Sequence, residues 1–530
     1  MTEPDDRPLV SVDDLETAER VLLLAFDARR RARLPGALRR HHRSVLELRA
    51  LGFPNELAPA AVVSARHDDD PLPAPVPPAG ATVGFGRGPD SDAGTSYLSI
   101  AELASAYRAG SARPSEVTEA FLARIERFDP QLCAVITPTT ARARAEAEQA
   151  DDDFEAGIDR GPLQGVPYLA KDLLAVPDAP TTWGAMPYRQ QRFSDTAAVV
   201  ERLAAAGAVL LGKASLGALA MGDVWYGGTT RNPWDLSEGS SGSSAGSSAA
   251  VAAGLCTFAI GSETMGSILS PSDRCGVVGL RPTFGRVSRF GAMALAWSLD
   301  KLGPITRTVE DAALVLTAIA GHDPRDAATR EAPFPWLPQA PVERLRVGVP
   351  DDVRGEPTPA MAAFLAAAEA AGVTIAPVRL PDLPTEPIMT LLMVEASAAF
   401  DVLIRGDEAD MLVRQNDESW PVLLRAARFV SAPDYVQAQR LQRAIRDELA
   451  ARFAEVDLIV TPARHGPAML HGNAAGAPAL SLPVGRNESG RPLGNVAILA
   501  RPFFEHRALG LAQAIEARFG PLAVPPGFEV

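Results

Sequence analysis

Arginine outnumbers lysine 48 to 3 in this chain, and the three lysines stand at 171, 213 and 301. A chain so biased has little reason to hold Lys except where Arg fails, and what Lys does that Arg cannot is lose its proton when desolvated. Each of the three is therefore a candidate base. Lys171 sits in an apolar setting, Tyr168-Leu169-Ala170 before it and Leu173-Leu174 after it, that could supply the desolvation. The groups such a base would serve are hydroxyls: residues 239–248, GSSGSSAGSS, pack six Ser into ten positions, and a second Gly/Ser turn, GSETMGSILSP, spans 261–271. Serine is a weak nucleophile at its free pKa and needs a positioned base. By composition 239–248 reads as a flexible linker, although it lies between NPWDL and the apolar AAVAAG. As G-x-S-x-G it reads as a nucleophile elbow with Ser244 attacking, but that turn requires a buried strand before it, and RNPWDLSEGS is not one. The remaining reading pairs the two Gly/Ser turns with Lys171. Ser298 and Lys301 fit S-x-x-K, without the K-T-G and S-D-N motifs that accompany it in penicillin-binding sites.

Positioning these groups falls to the elements around them. Residues 11–50 have helical periodicity, with Ser11 and Asp14 as a capping box, Pro35-Gly36 as an interruption and LRRHHRSVLELRAL as a second helix. Seven Arg fall between 29 and 43, read as a solvated helix face. Residues 66–96 are rich in Pro, Gly and Asp and form a linker. The organisation expected is thus a helical N-terminal extension over 1–65, the linker over 66–96 and one α/β domain over 97–530. Within that domain SIAELASAYRAG and SEVTEAFLARIERF read as helices, and CAVIT, AVLLG, CTFAIGS, LRVGVP, VTIAPVRL, VDLIVTPA and ALSLPV as strands.

Several ordered motifs, GPLQGVPYLAKD, GKASLGALAMG, TTRNPWD, SGSSAGSSAAVAAG, IGSETMGSI, CGVVGLRPTFGRVSRFGAMA, LGPITRTVEDAALVLTAIAGHDPRD, DLIVTPA and GAPALSLPVG, together resemble the amidase signature family over about residues 97–520. The resemblance implies an α/β fold in which a large mixed β-sheet is sandwiched by helices, with the helical N-terminus as an appendage. It places the family's catalytic serine, cis-serine and lysine on Ser267, Ser243 and Lys171, and the family's spacing of 24 between the two serines is matched. Ser243 would relay the proton of Ser267 to Lys171, and the main-chain N–H groups of Thr264, Met265, Gly266 and Ser267 would form an oxyanion hole. Substrate contacts are expected from Gly217, Trp225, Tyr226, Gly242 and Ser244. Two departures stand out. The family's Asp-x-Gly-Gly-Ser is Glu263-Thr264-Met265-Gly266-Ser267 here, so a positive φ at Met265 would be strained. Its Ser-Ile-Arg is Ser267-Ile268-Leu269, which removes a charge and favours apolar substrate groups. Lys213 resembles a structural position.

The expected function is hydrolysis of the C–N bond of carboxamides through an acyl-enzyme, a route open also to aryl amides and to carbamates (urethanes). The alternative is the glutamine-hydrolysing A-type subunit of a tRNA-dependent amidotransferase, whose small C-type subunit the N-terminal helices vaguely resemble. A catalytically dead binding protein is disfavoured by retention of all three residues. No cofactor is expected. Cys133, Cys256 and Cys275 and the seven His show no metal-ligand spacing, so no metal is expected. A net charge of -14 argues against nucleic acid as a partner. The partner expected is a small amide or carbamate; the N-terminal helices read either as a self-contained scaffold or as an oligomer contact, which would make a homodimer. The acidic MTEPDDRPLV and the lack of a long apolar run point to a cytoplasmic protein off the membrane.

Overall fold

In the computed structural model, which describes residues 10–21, 24–50, 72–74, 94–464 and 466–529, eleven strands join in one sheet. In chain order they are β1 (Val135–Pro138), β2 (Pro167–Lys171), β3 (Val209–Ala214), β4 (Phe258–Glu263), β5 (Val278–Arg281), β6 (Lys301–Thr306), β7 (Arg346–Pro350), β8 (Thr374–Val378), β9 (Leu458–Pro462), β10 (Ala479–Val484) and β11 (Gly494–Ala500). Their spatial order is β1-β3-β2-β4-β6-β5-β10-β11-β9-β7-β8. β2 runs parallel to both β3 and β4, and β7 to both β8 and β9, while the remaining pairs are antiparallel. The sheet is thus large and mixed, with helices on its faces, as the resemblance implied.

Every residue of β2, β3, β4, β6 and β10 is buried, so none shows the alternation of a half-exposed strand. The seven strands expected from sequence are all present. Four others, β2, β5, β6 and β11, add to them. β2 opens on Pro and ends on Lys, and β6 carries Gly303-Pro304 in its middle, so neither gives a strand signal. Gly303 is there because a neighbouring strand comes close: a Cβ on it would lie 2.0 Å from the Leu280 carbonyl oxygen.

At the N-terminus, α1 (Val12–Val21) starts with the expected capping box, Asp14 N–H donating to Ser11 Oγ at 3.2 Å and Ser11 N–H to Asp14 Oδ2 at 2.9 Å. Pro35-Gly36 does not interrupt the next long helix. α2 spans Leu34–Ala50, and Pro35 falls in its first turn, where no intrahelical N–H bond is lost. Leu15, Leu24, Phe26, Leu34 and Ala37 form one apolar cluster with Val422 and Ala426 of the helix Trp420–Ala427. The arginines of this region are not all solvated. Arg30 pairs with Asp407 at 2.7 Å and Asp410 at 2.6 Å, and Arg31 with the buried Glu19 at 2.8 Å. Most of the segment read as a linker, with residues 1–9 and 51–65 of the extension, lies outside the described residues. No described helix is long and apolar enough to cross a membrane.

Candidate active site

Lys171 closes β2, held between β3 and β4, and its side chain is wholly buried. Nζ lies 2.8 Å from Ser243 Oγ, 3.0 Å from Ser244 Oγ and 2.8 Å from Ser262 Oγ. Burial holds its pKa well below the ordinary lysine value, outweighing the opposing fields of Asp300 and Glu263. A neutral amine among hydroxyls can accept a proton from one of them. Lys213 differs: it is equally buried, but it forms an ion pair with Asp172 at 3.0 Å and donates to Thr181 Oγ1 at 2.9 Å. This is a structural pairing beneath the end of β2.

Ser243 and Ser244 precede α3 (Ala245–Ala252), whose residues are all buried, and the Gly242–Ser243 peptide is cis. A Cβ on Gly242 would sit 1.9 Å from the Gly222 carbonyl oxygen, so glycine there allows two chain segments to touch. Ser244 N–H donates to the Ser267 carbonyl at 3.1 Å, which ties the two serine turns together. Ser267 itself is half-buried, just ahead of α4 (Leu269–Cys275). Among the described residues no acceptor takes the N–H groups of Met265, Gly266 or Ser267, while those of Ile268 and Leu269 both donate to Glu263 Oε2, at 2.8 and 2.9 Å. Three free donors in one turn suit an anionic oxygen.

The strain foreseen at Met265 does not arise, because the positive φ of this turn, +96°, falls on Gly266. Leu269, where the family has Arg, is buried in an apolar cluster with Ala479, Leu499 and Met469. The cation opposite Glu263 comes instead from Arg281, whose Nη1 donates to Glu263 Oε1 at 2.8 Å with both side chains fully buried. Asn473 Nδ2 adds a bond to the same oxygen at 2.9 Å.

Several neighbours of the site escaped sequence reasoning. Ser262 completes the lysine's ring of hydroxyls. Asp300 Oδ1 accepts from Thr264 Oγ1 at 2.6 Å, and Lys301 Nζ donates to Asn473 Oδ1 at 2.9 Å and lies 3.5 Å from the Thr264 carbonyl oxygen. Lysine scarcity was the signal that singled out Lys301. A cavity of about 200 Å³ reaches Ser262 and Thr264 and is walled by Leu173, Phe290, Met293 and Trp297. Of the expected substrate contacts, Trp225 is buried and donates from Nε1 to the Cys133 carbonyl at 3.2 Å, and Tyr226 packs edge-on against it while half-buried. Gly217 is a close-packing position, where a Cβ would lie 2.1 Å from the Met221 carbonyl oxygen.

Comparison with known proteins adds a second line of observation. The amidase family model matches residues 116–509. The A-type subunit of the glutamyl-tRNA(Gln) amidotransferase of Halorhodospira halophila is 36% identical over 482 residues, 81% of this chain and 99% of that protein. The solved peptide amidase of Stenotrophomonas maltophilia superposes with a TM-score of 0.71 at 31% identity, covering 81% of this chain and 98% of its own. An inhibitor-bound complex studied for the origins of an s-triazine catabolic enzyme gives a TM-score of 0.74 at 30% identity, covering 80% of this chain and 100% of that one. These findings correct the expected partners, a small amide or carbamate alone with no nucleic acid. Relatives at this identity are named as one subunit of an enzyme named for a tRNA. Net charge averages over the whole surface, so by itself it does not exclude such a setting.

Proposed function

This chain belongs to the amidase signature family of C–N hydrolases, and from that premise we propose that it hydrolyses the side-chain amide of glutamine as the A-type subunit of a tRNA-dependent amidotransferase. The curated relatives, matched over nearly their whole length, support that substrate and setting. The chemistry rests on one observation, the buried Lys171 amine ringed by three serine hydroxyls.

Proton accounting is compatible with these roles. A neutral amine has two N–H donors and one lone pair. Ser244 Oγ gives its proton to the Ser262 carbonyl at 3.1 Å and accepts from the Ser262 N–H, so it can only accept from Lys171. With the second N–H directed to Ser262 Oγ, the lone pair receives the hydroxyl of Ser243. Ser267 Oγ then attacks the amide carbon, Ser243 takes its proton while passing its own to Lys171, and the oxyanion meets the free N–H groups of Met265 and Gly266. Collapse of the tetrahedral adduct breaks the C–N bond, and the departing ammonia takes a proton back through Ser243. Water, activated by the same relay, cleaves the Ser267 ester.

A second reading, an independent amidase for apolar or aryl carboxamides, is favoured by the Phe290, Met293 and Trp297 cavity wall. Amine release measured by mass spectrometry from glutamine, an aliphatic amide, an anilide and an N-aryl carbamate, with Ser267→Ala as control, separates the two. Glutamine turnover lost in the variant supports the amidotransferase reading. Aryl turnover without glutamine turnover rejects it for the second reading, and hydrolysis that survives the variant rejects both.

A further inference from the structure

All three lysines of the chain are buried, yet only Lys213 has a carboxylate partner within salt-bridge distance among the described residues. Lys301 opens β6, directly across from Glu263, the last residue of β4, and so lies beside the start of the turn that ends in Ser267. Together with its neighbour Asp300 it grips Thr264 from two sides. Asp300 Oδ1 accepts the Thr264 hydroxyl at 2.6 Å, and Asp300 Oδ2 is itself fixed by the N–H groups of Leu295 and Ala296 at 2.8 and 2.9 Å. Lys301 Nζ meets the Thr264 carbonyl oxygen at 3.5 Å while donating to Asn473 Oδ1 at 2.9 Å.

The Thr264–Met265 peptide is trans, so its C=O and N–H point in opposite directions. A carbonyl turned toward the ammonium therefore turns the Met265 N–H away from it, and that N–H has no acceptor among the described residues. We propose that Lys301 is a positioning residue for the oxyanion turn: its ammonium holds the Thr264 carbonyl and thereby aims and polarises the Met265 N–H toward the carbonyl oxygen of the bound amide. A cation on the C=O end of a peptide strengthens its N–H as a donor, and the effect is large where water is excluded. The inference deepens the hydrolytic reading and rests on Ser267 as nucleophile.

Four charged groups face this ammonium: Glu263 from β4, Arg281 from β5, Asp300 beside it and Arg289 beyond. Burial, with the fields of Arg281 and Arg289 and against those of Glu263 and Asp300, brings its pKa down to about 7. The signs of the two lysines are opposite. Lys171 works when neutral, so activity rises with pH as it deprotonates; Lys301 works when charged, so activity falls as pH passes about 7.

The test uses the full chain and phenylmethylsulfonyl fluoride, which needs no knowledge of the natural substrate. Ser267 Oγ forms an O–S bond, fluoride leaves, the hydroxyl proton passes to the relay, and a sulfonyl oxygen takes the place of the oxyanion. The wild-type modification rate should fall on the alkaline side of a maximum near neutrality. In Lys301→Gln the rate should drop roughly tenfold at pH about 6.5 and the alkaline fall should vanish; Lys301→Arg, charged throughout, should restore the rate without the fall. A Lys301→Gln rate and limb like those of wild type would overturn the proposal, as would a wild-type profile with no alkaline limb, which decides the matter if neither variant folds. Modification that persists in Ser267→Ala instead defeats the nucleophile assignment beneath it.

Discussion

At Lys171 two effects of opposite sign compete: desolvation, which lowers its pKa, and the fields of Asp300 and Glu263, which raise it. Desolvation prevails because none of its hydrogen-bond partners is a carboxylate. Lys171→Met should therefore lower the modification rate of Ser267 by roughly 10³-fold or more, and Lys171→Arg should not rescue it, since guanidinium keeps its proton. Stopped assays at several pH values check both variants; rescue by Arg would mean that the charge, not the base, matters. Glu263 tests a different property. It joins the buried Arg281 and Asn473 to the N–H groups of Ile268 and Leu269, so Glu263→Gln leaves a buried guanidinium without its counter-charge. A loss of about 3–5 kcal/mol in unfolding free energy is expected, read by denaturant titration, and a loss under about 1 kcal/mol would show that water reaches Arg281.

At the scale of elements, the N-terminal helices are held by an apolar contact more than by their ion pairs. Leu34 is fully buried between its own helix and the Trp420–Ala427 helix, whereas the acids facing Arg30 are largely in solvent, Asp407 at 91% and Asp410 at 45% exposure. Leu34→Ala should weaken this docking by about 2–5 kcal/mol, and Arg30→Ala by less than about 1 kcal/mol. Hydrogen exchange over 24–50 should rise sharply in the first variant and little in the second. The opposite order would make the acidic loop the anchor. Helix continuity through Pro35 is hidden in the sequence by proline's double meaning: a breaker inside a helix, a starter in its first turn. The strand that carries Lys171, β2, is hidden for a related reason, since a short strand buried on both faces, begun by Pro and ended by Lys, has no alternation to detect. Its lysine, by contrast, is conspicuous through rarity alone.

Over the whole molecule, two acids outside the site sit in desolvated positions, Asp311 buried and Glu516 half-buried. Glu516 accepts the Val309 N–H at 3.0 Å, and Asp311 accepts the Ile100 N–H at 2.9 Å; burial pushes their pKa values up to about 8 and about 7. Both titrate near ~4 when unfolded, so from there to about 8 the native state holds more protons and stability falls as pH rises. Glu516→Gln, which keeps the acceptor oxygen but has no proton to lose, should flatten the decline in Tm between about pH 5 and about pH 8.5; an unchanged slope would place that titration elsewhere. The family, seven of the eleven strands and the Ser243–Ser244 turn beside Lys171 were legible because chemistry and close packing restrict residue type there. The setting stayed open between an independent amidase and an amidotransferase subunit, because assembly is written in surface patches that net charge averages away. The central claim, that Ser267 is the residue acylated through a neutral Lys171, is tested most directly by peptide mapping after phenylmethylsulfonyl fluoride treatment. A single sulfonyl adduct on Ser267, absent in Ser267→Ala and in Lys171→Met, is the predicted result; an adduct on another residue, or one formed at full rate without Lys171, would contradict it.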